Sequence, residues 1–275
     1  MNINVCKPRN NLLFKINITP EYYEQLGALL KIKKIVDKNF VRLGRPNDGG
    51  YVMVDNFNVS GGDIAYSFGI NNDVSWDSDM VLRGYDVFMY DPTIAALPKE
   101  NEKFHFFKAG ISGITDARRS LDTLDSFIQA NGHEDKTNMI LKMDVEGAEW
   151  GFLSQVSSET LSRFDQMVFE FHSFIQSKSQ DVMDQTYNCL RKINRTHSLV
   201  HLHANNYGAF VVLDDKIMFP DTLELTYVKT SEYELVDDEN IFLPISLDQP
   251  CYVKIPDIPL GYWNKKFNNL VKYNE

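Results

Sequence analysis

The sequence predicts an α/β fold: a mostly parallel seven-stranded sheet, helices on both faces, and an antiparallel strand at one edge. Three observations carry this. Short apolar runs alternate with helical stretches from about residue 64 onward, which is how a parallel sheet covered on both faces reads. The last two strand-like runs, 209–213 and 222–228, resemble a hairpin, so one strand runs antiparallel. The chain has 275 residues, 43% of them apolar. That suffices for one α/β domain with decorated ends and a core that folds without metal or disulfide.

Residues 19–37 read as a helix, opened by Thr19-Pro20 and striped by Tyr22, Leu26, Leu29, Leu30 and Ile32. Phe40-Val-Arg-Leu-Gly44 and Tyr51-Val-Met-Val54 flank a Pro/Asn/Asp/Gly turn and form a hairpin. Residues 1–58 are thus a helix-and-hairpin cap. Strands follow at 64–68, 86–90, 104–107, 139–143, 166–171, 199–203 and 222–228. Helices are expected at 77–83, 121–131, 148–155, 158–163 and 180–193. The segment 231–275, rich in Pro, Tyr and Phe, is a C-terminal extension of irregular structure over the core.

Cys6, Cys189 and Cys251 are far apart and lack CxxC spacing, as expected of reduced thiols in the cytosol. The polar start, Met1 to Asn11, has no apolar core of a secretory signal, and no apolar run is long enough to span a bilayer. The formal net charge of −10 argues against nucleic acid as partner. A local basic pocket for a diphosphate stays open, with Arg42, Arg45, Arg118, Arg119, Lys265 and Lys266 as candidates.

In an open parallel sheet, ligands bind beyond the carboxyl ends of the strands. The first strand ends in Ser67-Phe-Gly-Ile-Asn-Asn-Asp73. Gly69 permits a tight turn and close backbone approach, but the GxGxxG cradle of a nicotinamide enzyme is missing. The second strand ends in Tyr90-Asp91-Pro92. Asp91 suits either the ribose hydroxyls of an adenosine or a capped turn. After the third, Lys108-Ala-Gly-Ile-Ser112 has side chains small enough to leave room for an adenine ring.

The fourth strand and its exit, Ile140-Leu-Lys-Met-Asp-Val-Glu-Gly-Ala-Glu149, place Lys142, Asp144 and Glu146 on one face at period two. Charges in a central strand are expensive unless paired or used. An ion pair with a neighbouring acid accounts for Lys142, but not for Asp144 at the strand end. In Met167-Val-Phe-Glu-Phe-His-Ser173, Glu170 and His172 share a face. The two strands should be neighbours, so Asp144, Glu170 and His172 converge. The sixth strand adds His201 and His203, then Asn205, Asn206 and Tyr207.

Leu141-Lys-Met-Asp-Val-Glu-Gly-Ala-Glu149 resembles the central motif of the FkbM-type methyltransferases. The likeness continues in Leu121-Asp-Thr-Leu-Asp125, Phe169-Glu-Phe-His172 and His201-Leu-His-Ala-Asn-Asn206, and covers about residues 40–230. Arg42-Leu-Gly44 and Asn47-Asp-Gly-Gly-Tyr-Val52 are similar to a subgroup that includes bacterial surface-polysaccharide enzymes. The resemblance implies a Rossmann-like class I methyltransferase fold and S-adenosylmethionine as methyl donor. It also implies a cytoplasmic enzyme that methylates a hydroxyl of a small acceptor, a sugar or sugar nucleotide, for capsule or other surface polysaccharide.

On these residues the donor would rest on Tyr51, Ser67, Gly69, Asn71, Asp73, Asp91, Pro92, Ala109, Gly110, Ile111 and Asp144. Catalysis would fall to Asp144, His172 and His203. Asp144, Glu170 and His172 form an O,O,N set that suits Mn, Fe or Mg, with His203 as base or further ligand. The 47–51 turn would close over the site as a lid, or be an ordinary edge hairpin. A nucleotide-sugar glycosyltransferase using Asp144-Val-Glu146, and a silent binding protein, are the rival readings.

Overall fold

The computed structural model describes residues 3–6, 19–57, 63–175, 179–213 and 217–271. Most of the polar start read against a secretory signal therefore lies outside the described residues, as does Ser60 near the end of the cap.

A hairpin of β1 (Phe40–Leu43) and β2 (Tyr51–Val54) precedes the central sheet. That sheet is built from β3 (Ile64–Phe68), β4 (Asp86–Tyr90), β5 (Phe104–Phe107), β6 (Met139–Met143), β7 (Phe164–Phe171), β8 (His197–Ala204) and β9 (Leu223–Lys229). Its seven strands lie in the order β8-β9-β7-β6-β3-β4-β5. Only β9 runs against its neighbours. This is the Rossmann-like arrangement expected, with one correction. The antiparallel strand is not at the edge but one place in, between β7 and β8.

The reason is burial. Leu-Glu-Leu-Thr-Tyr-Val reads like a strand with one wet face, yet all six of its residues are buried. Glu224 accepts from His203 on β8, and the Thr226 hydroxyl donates to the Val52 carbonyl in the hairpin. A strand covered on both faces is held best when it is paired on both edges.

Alternation sorts the core into two layers. Tyr66, Phe68, Leu141, Met143, Met167, Phe169, Leu225 and Tyr227 share one cluster with six helices. These are α1 (Pro20–Leu29), α3 (Leu124–Ala130), α4 (Glu149–Gln155), α5 (Ser158–Leu161), α6 (Gln180–Ile193) and α7 (Trp263–Val271). Ala65, Val87, Met89, Ile140 and Val168 meet Trp76 and Met80 of α2 (Ser75–Leu82) and Leu43, Tyr51 and Met53 of the hairpin. On this second face the hairpin stands where another helix would.

It is docked firmly. Gln166, fully buried on β7, accepts from the Val54 amide at 3.1 Å and donates to the Val54 carbonyl at 3.0 Å. The 44–50 turn is tied to α2 through Gly44 N to Asp79 and Arg45 N to Ser75. It is tied to the C-terminal segment through Asn47, whose N–H and side-chain amide donate to Gln249 and Pro250. The hairpin is a wall in this structure, not a loose flap.

The helix read over 19–37 stops at Leu29. The Asn264 amide brackets Ile32, the Trp263 indole donates to the Leu30 carbonyl, and Lys33–Ile35 pairs with Leu235–Asp237. Long-range partners thus override the local apolar stripe. Leu121–Asp122, read as the start of α3, pairs instead with Gly110–Ile111, and Thr123 caps the helix. The 231–275 extension is more ordered than expected, carrying two short strand pairings and α7.

Replacing Gln166 with Leu leaves the Val54 N–H buried and unpaired, while the Val54 carbonyl keeps the Asn56 amide as donor. One such group costs about 1–3 kcal/mol, so Gln166→Leu should lower unfolding free energy by about that amount in urea denaturation. An unchanged midpoint would show that the hairpin is held by other contacts.

Candidate active site

The first strand end is shaped by a crossing of chains. Gly69 sits at φ +80°, and a Cβ there would lie 1.6 Å from the Asp144 carbonyl oxygen. Only glycine fits. The Gly69 amide donates to the Tyr90 carbonyl and the Asp144 amide to the Phe68 carbonyl, so the exits of β3, β4 and β6 are stitched together. Lys142 Nζ donates to the Gly69 carbonyl at 2.5 Å from below.

Asp91 then organises the loop. One carboxylate oxygen accepts from the Ile70 and Asn71 amides at 2.9 and 2.8 Å. The other accepts from the Thr93 amide and hydroxyl at 2.7 and 2.6 Å. Burial works to raise its pKa, but the bonds from Asn71, Thr93 and Ile70 outweigh that and hold it below the usual carboxylate range. Four donors fill the roughly four acceptor positions of a carboxylate. The capped-turn role is therefore realised in this structure, and a ribose hydroxyl would have to replace the Thr93 hydroxyl.

Beyond these strand ends opens a cavity of about 360 Å³. Of the residues expected to hold a donor, Tyr51, Gly69, Asn71, Asp73, Asp91, Pro92, Gly110, Ile111 and Asp144 line it. Two do not. Ser67 is fully buried in the sheet opposite Lys142, and Ala109 packs against the core. Asp48, from the turn expected to cover the site, lines it as well, and sequence reasoning missed Asn72, Trp76, Asp77 and Thr93. The lining carries seven acidic side chains (Asp48, Asp73, Asp77, Asp91, Asp144, Glu146 and Glu170) and only two basic ones (Arg45 and Lys142).

The six candidate basic residues do not gather into a diphosphate pocket. Arg45 alone reaches the cavity, where it meets Asp73 at 3.2 Å. Arg42 holds the Asn47 carbonyl, Arg119 faces Asp116, and Lys265 lies over Tyr262.

At the floor, strand register builds a row of charge. Met143 pairs with Phe169, so Asp144 comes level with Glu170; Glu170 pairs with Glu224, and Glu224 with His203. The Tyr51 hydroxyl donates to Asp144 at 3.0 Å and lies 3.4 Å from Glu170, whose other oxygen accepts from Asn205 at 2.7 Å. Burial, then the neighbouring Asp144 charge, pushes the Glu170 carboxyl up to about 8.

His172 joins this row from one side. Its Nδ1 lies 3.2 Å from buried Glu149, and its Nε2 lies 3.5 Å from both Glu170 and Glu146. Burial opposes the imidazolium, but Glu149 and Glu170 overcome it and raise the pKa to about 11. Asp144, Glu170 and His172 do converge: one donor atom from each lies within 4.8 Å of the others.

His203 departs from its expected role. It is 1% exposed and off the cavity wall, with Nδ1 on Glu224 at 2.9 Å and Nε2 on Asp257 at 3.0 Å. Burial works against its charge, but Glu224 and Asp257 raise its pKa to about 10. A doubly engaged imidazolium is not a base at neutral pH, and it does not join the Asp144 set. Lys142 departs as well. Among the described residues it forms no salt bridge to a neighbouring acid; it bonds the Gly69 carbonyl, and its charge acts on buried Asp77, whose carboxyl burial raises to about 6.

Three of these shifts run the same way. His172 and His203 are raised above their unfolded value near 6.5, so their contribution is complete below that pH and lost toward 10–11. Raised Glu170 likewise binds its proton more tightly in the folded state, up to about pH 8. Chelator-treated protein should therefore lose stability steadily from pH 6.5 to 10, as read by urea midpoints. A flat or rising profile would contradict these charge states.

Residues 46–205, more than half of the chain, match the methyltransferase FkbM domain. No curated protein matches the sequence. Among solved structures, a putative hemolysin from Streptococcus thermophilus aligns over 82% of this chain and 80% of its own, at 9% identity and a TM-score of 0.36. That likeness is too distant to bear on function. The family match fits the mostly parallel seven-stranded sheet and spans both Gly69 and Asp144, and the chain belongs to the FkbM methyltransferase domain family.

Proposed function

We propose that this methyltransferase uses S-adenosylmethionine and methylates a hydroxyl of a sugar or sugar nucleotide, in the making of a surface polysaccharide. The observation that carries the reading is the sign of the cavity. Seven acids, of which Glu170 is largely protonated at neutral pH, against two bases suit a ligand bearing a positive charge, and they disfavour seating a bare diphosphate here, so that of a sugar-nucleotide acceptor would have to lie outside this cavity. The volume falls in the range of small-molecule sites. The acceptor class rests on the likeness of Arg42-Leu-Gly44 and Asn47-Asp-Gly-Gly-Tyr-Val52 to polysaccharide enzymes, and on a carboxylate row that can accept from hydroxyls.

The residues present fit such a donor. The Gly69 crossing leaves backbone against the ligand, and Gly110 is confined less severely, since a Cβ there would meet only the Leu121 and Pro92 side chains. Bound here, S-adenosylmethionine would supply an electrophilic methyl group whose sulfonium charge is lost in transfer. Asp91 would hold the ribose, with the Thr93 hydroxyl turned aside. The chain's part is then mostly positioning. Docked hairpin and stitched strand ends hold the two reactants in a fixed frame.

An acceptor hydroxyl must also shed a proton. Asp144 and Glu170, both reached by the Tyr51 hydroxyl, can receive it, Glu170 only in its ionised form, because a pKa of about 8 keeps it largely protonated at neutral pH. The Asp144, Glu170 and His172 donors also fit a Mn, Fe or Mg ion, which would supply a Lewis acid beside the hydroxyl. His172 would give up its proton to bind.

Two measurements test the reading. Calorimetry should show micromolar binding of S-adenosylmethionine and its demethylated product, weakened at least tenfold by Asp91→Ala; unchanged affinity in that folded variant would remove Asp91 from the donor site. Glu170→Gln should keep donor affinity within a few-fold while turnover on a sugar-nucleotide panel falls about 10²–10⁴-fold. Turnover that survives Glu170→Gln would sink the proton role. If chelated enzyme stays fully active, the carboxylates act without an ion.

A further inference from the structure

Next to the carboxylate row, the C-terminal segment closes a second constellation that methyl transfer does not use. Glu224 on β9 receives two donors at once. His203 Nδ1 lies 2.9 Å from one of its oxygens, and Cys251 Sγ lies 3.1 Å from the other. All three side chains are buried, and one donor atom from each lies within 4.8 Å of the others. On the far side of the imidazole, Nε2 is held by Asp257 at 3.0 Å.

We propose that His203, Glu224 and Cys251 form a zinc site, separate from the methyl-transfer centre, in which Asp257 orients the ligating histidine. Thiolate, imidazole and carboxylate are the ligand types zinc takes, commonly three protein side chains and a fourth position. A ligating histidine almost always donates its other N–H to a carboxylate, which fixes its tautomer. Asp257 occupies that place.

The charge and proton balance favours exchange with an ion. In the metal-free state, the space between the three side chains holds two protons, one on His203 Nδ1 and one on Cys251 Sγ. A divalent cation replaces both: the N–H and S–H bonds break, two protons leave to solvent, and metal–nitrogen and metal–sulfur bonds form. Net charge in the pocket is unchanged, so binding adds no buried charge to a region already crowded with carboxylates.

Sulfur separates this site from the Asp144 set, which has none, so its test stands whatever becomes of the proposed function. Full-length protein, stripped with chelator and loaded with cobalt, should show a thiolate-to-cobalt charge-transfer band in the near ultraviolet. Cys251→Ser should abolish the band, and Asp257→Asn should weaken cobalt binding about 10–100-fold. For zinc-loaded wild-type protein, zinc-edge X-ray absorption should report one sulfur neighbour at about 2.3 Å among nitrogen and oxygen neighbours. This second measurement needs no variant, so it decides the matter if Cys251→Ser does not fold. A band that is absent, or that persists in Cys251→Ser, or a zinc shell without sulfur, overturns the site.

Discussion

Much of the carboxyl end of the sheet is arranged around one costly fact, the burial of Glu170 and Glu224 side by side on neighbouring strands. Two carboxylates in a dry interior repel each other and lose hydration, and each must be neutralised or hydrogen-bonded. The chain does this from four directions. Tyr51 reaches in from the hairpin, Asn205 from the exit of β8, His172 from the exit of β7, and His203 with Cys251 from the far side. Elements distant in sequence are held together because each supplies part of that compensation.

The same fact explains why residues outside the family match are bound so tightly to it. Asp248, Cys251 and Asp257 lie beyond residue 205, yet they meet His201, Glu224 and His203 on the core strands. Asn206 donates to the carbonyls of Tyr252, Ile255 and Pro256 and accepts from the Tyr252 amide. The motif His-Leu-His-Ala-Asn-Asn thus works as a socket for the C-terminal segment. Its histidines look like ligands for a catalytic centre, but what they receive is a strap.

The legibility of the sequence followed the range of the forces involved. The bounds of β3, β4, β5, β6 and α6 agree with their expected ranges residue for residue, because each is a short apolar run or an amphipathic stripe set by its own composition. Gly69, Asp91 and Asp144 were readable because strand ends are where parallel sheets bind ligands. What could not be read was register and partnership. Whether Lys142 would meet an acid or a carbonyl depends on the Gly69 crossing. That His203 would be saturated depends on Asp257, more than fifty residues away. Glu224 carried only a weak signal, one charge in an apolar alternation that an edge strand would explain equally well.

On the proposed reading, Asp91 would prepare the cavity for a ligand without leaving it empty of structure. A carboxylate held by four donors is not waiting for a fifth. Three of those donors are backbone amides that fix the loop, and these set the shape of the wall. The fourth, the Thr93 hydroxyl, turns about a single bond and can be exchanged for a ligand hydroxyl while the loop stays in place. On the proposed reading the backbone part of the site is thus built in advance, and only one side-chain contact, the rotatable Thr93 hydroxyl, would have to be given up on binding. That division keeps the ordering cost out of the binding step, which is where preorganisation matters.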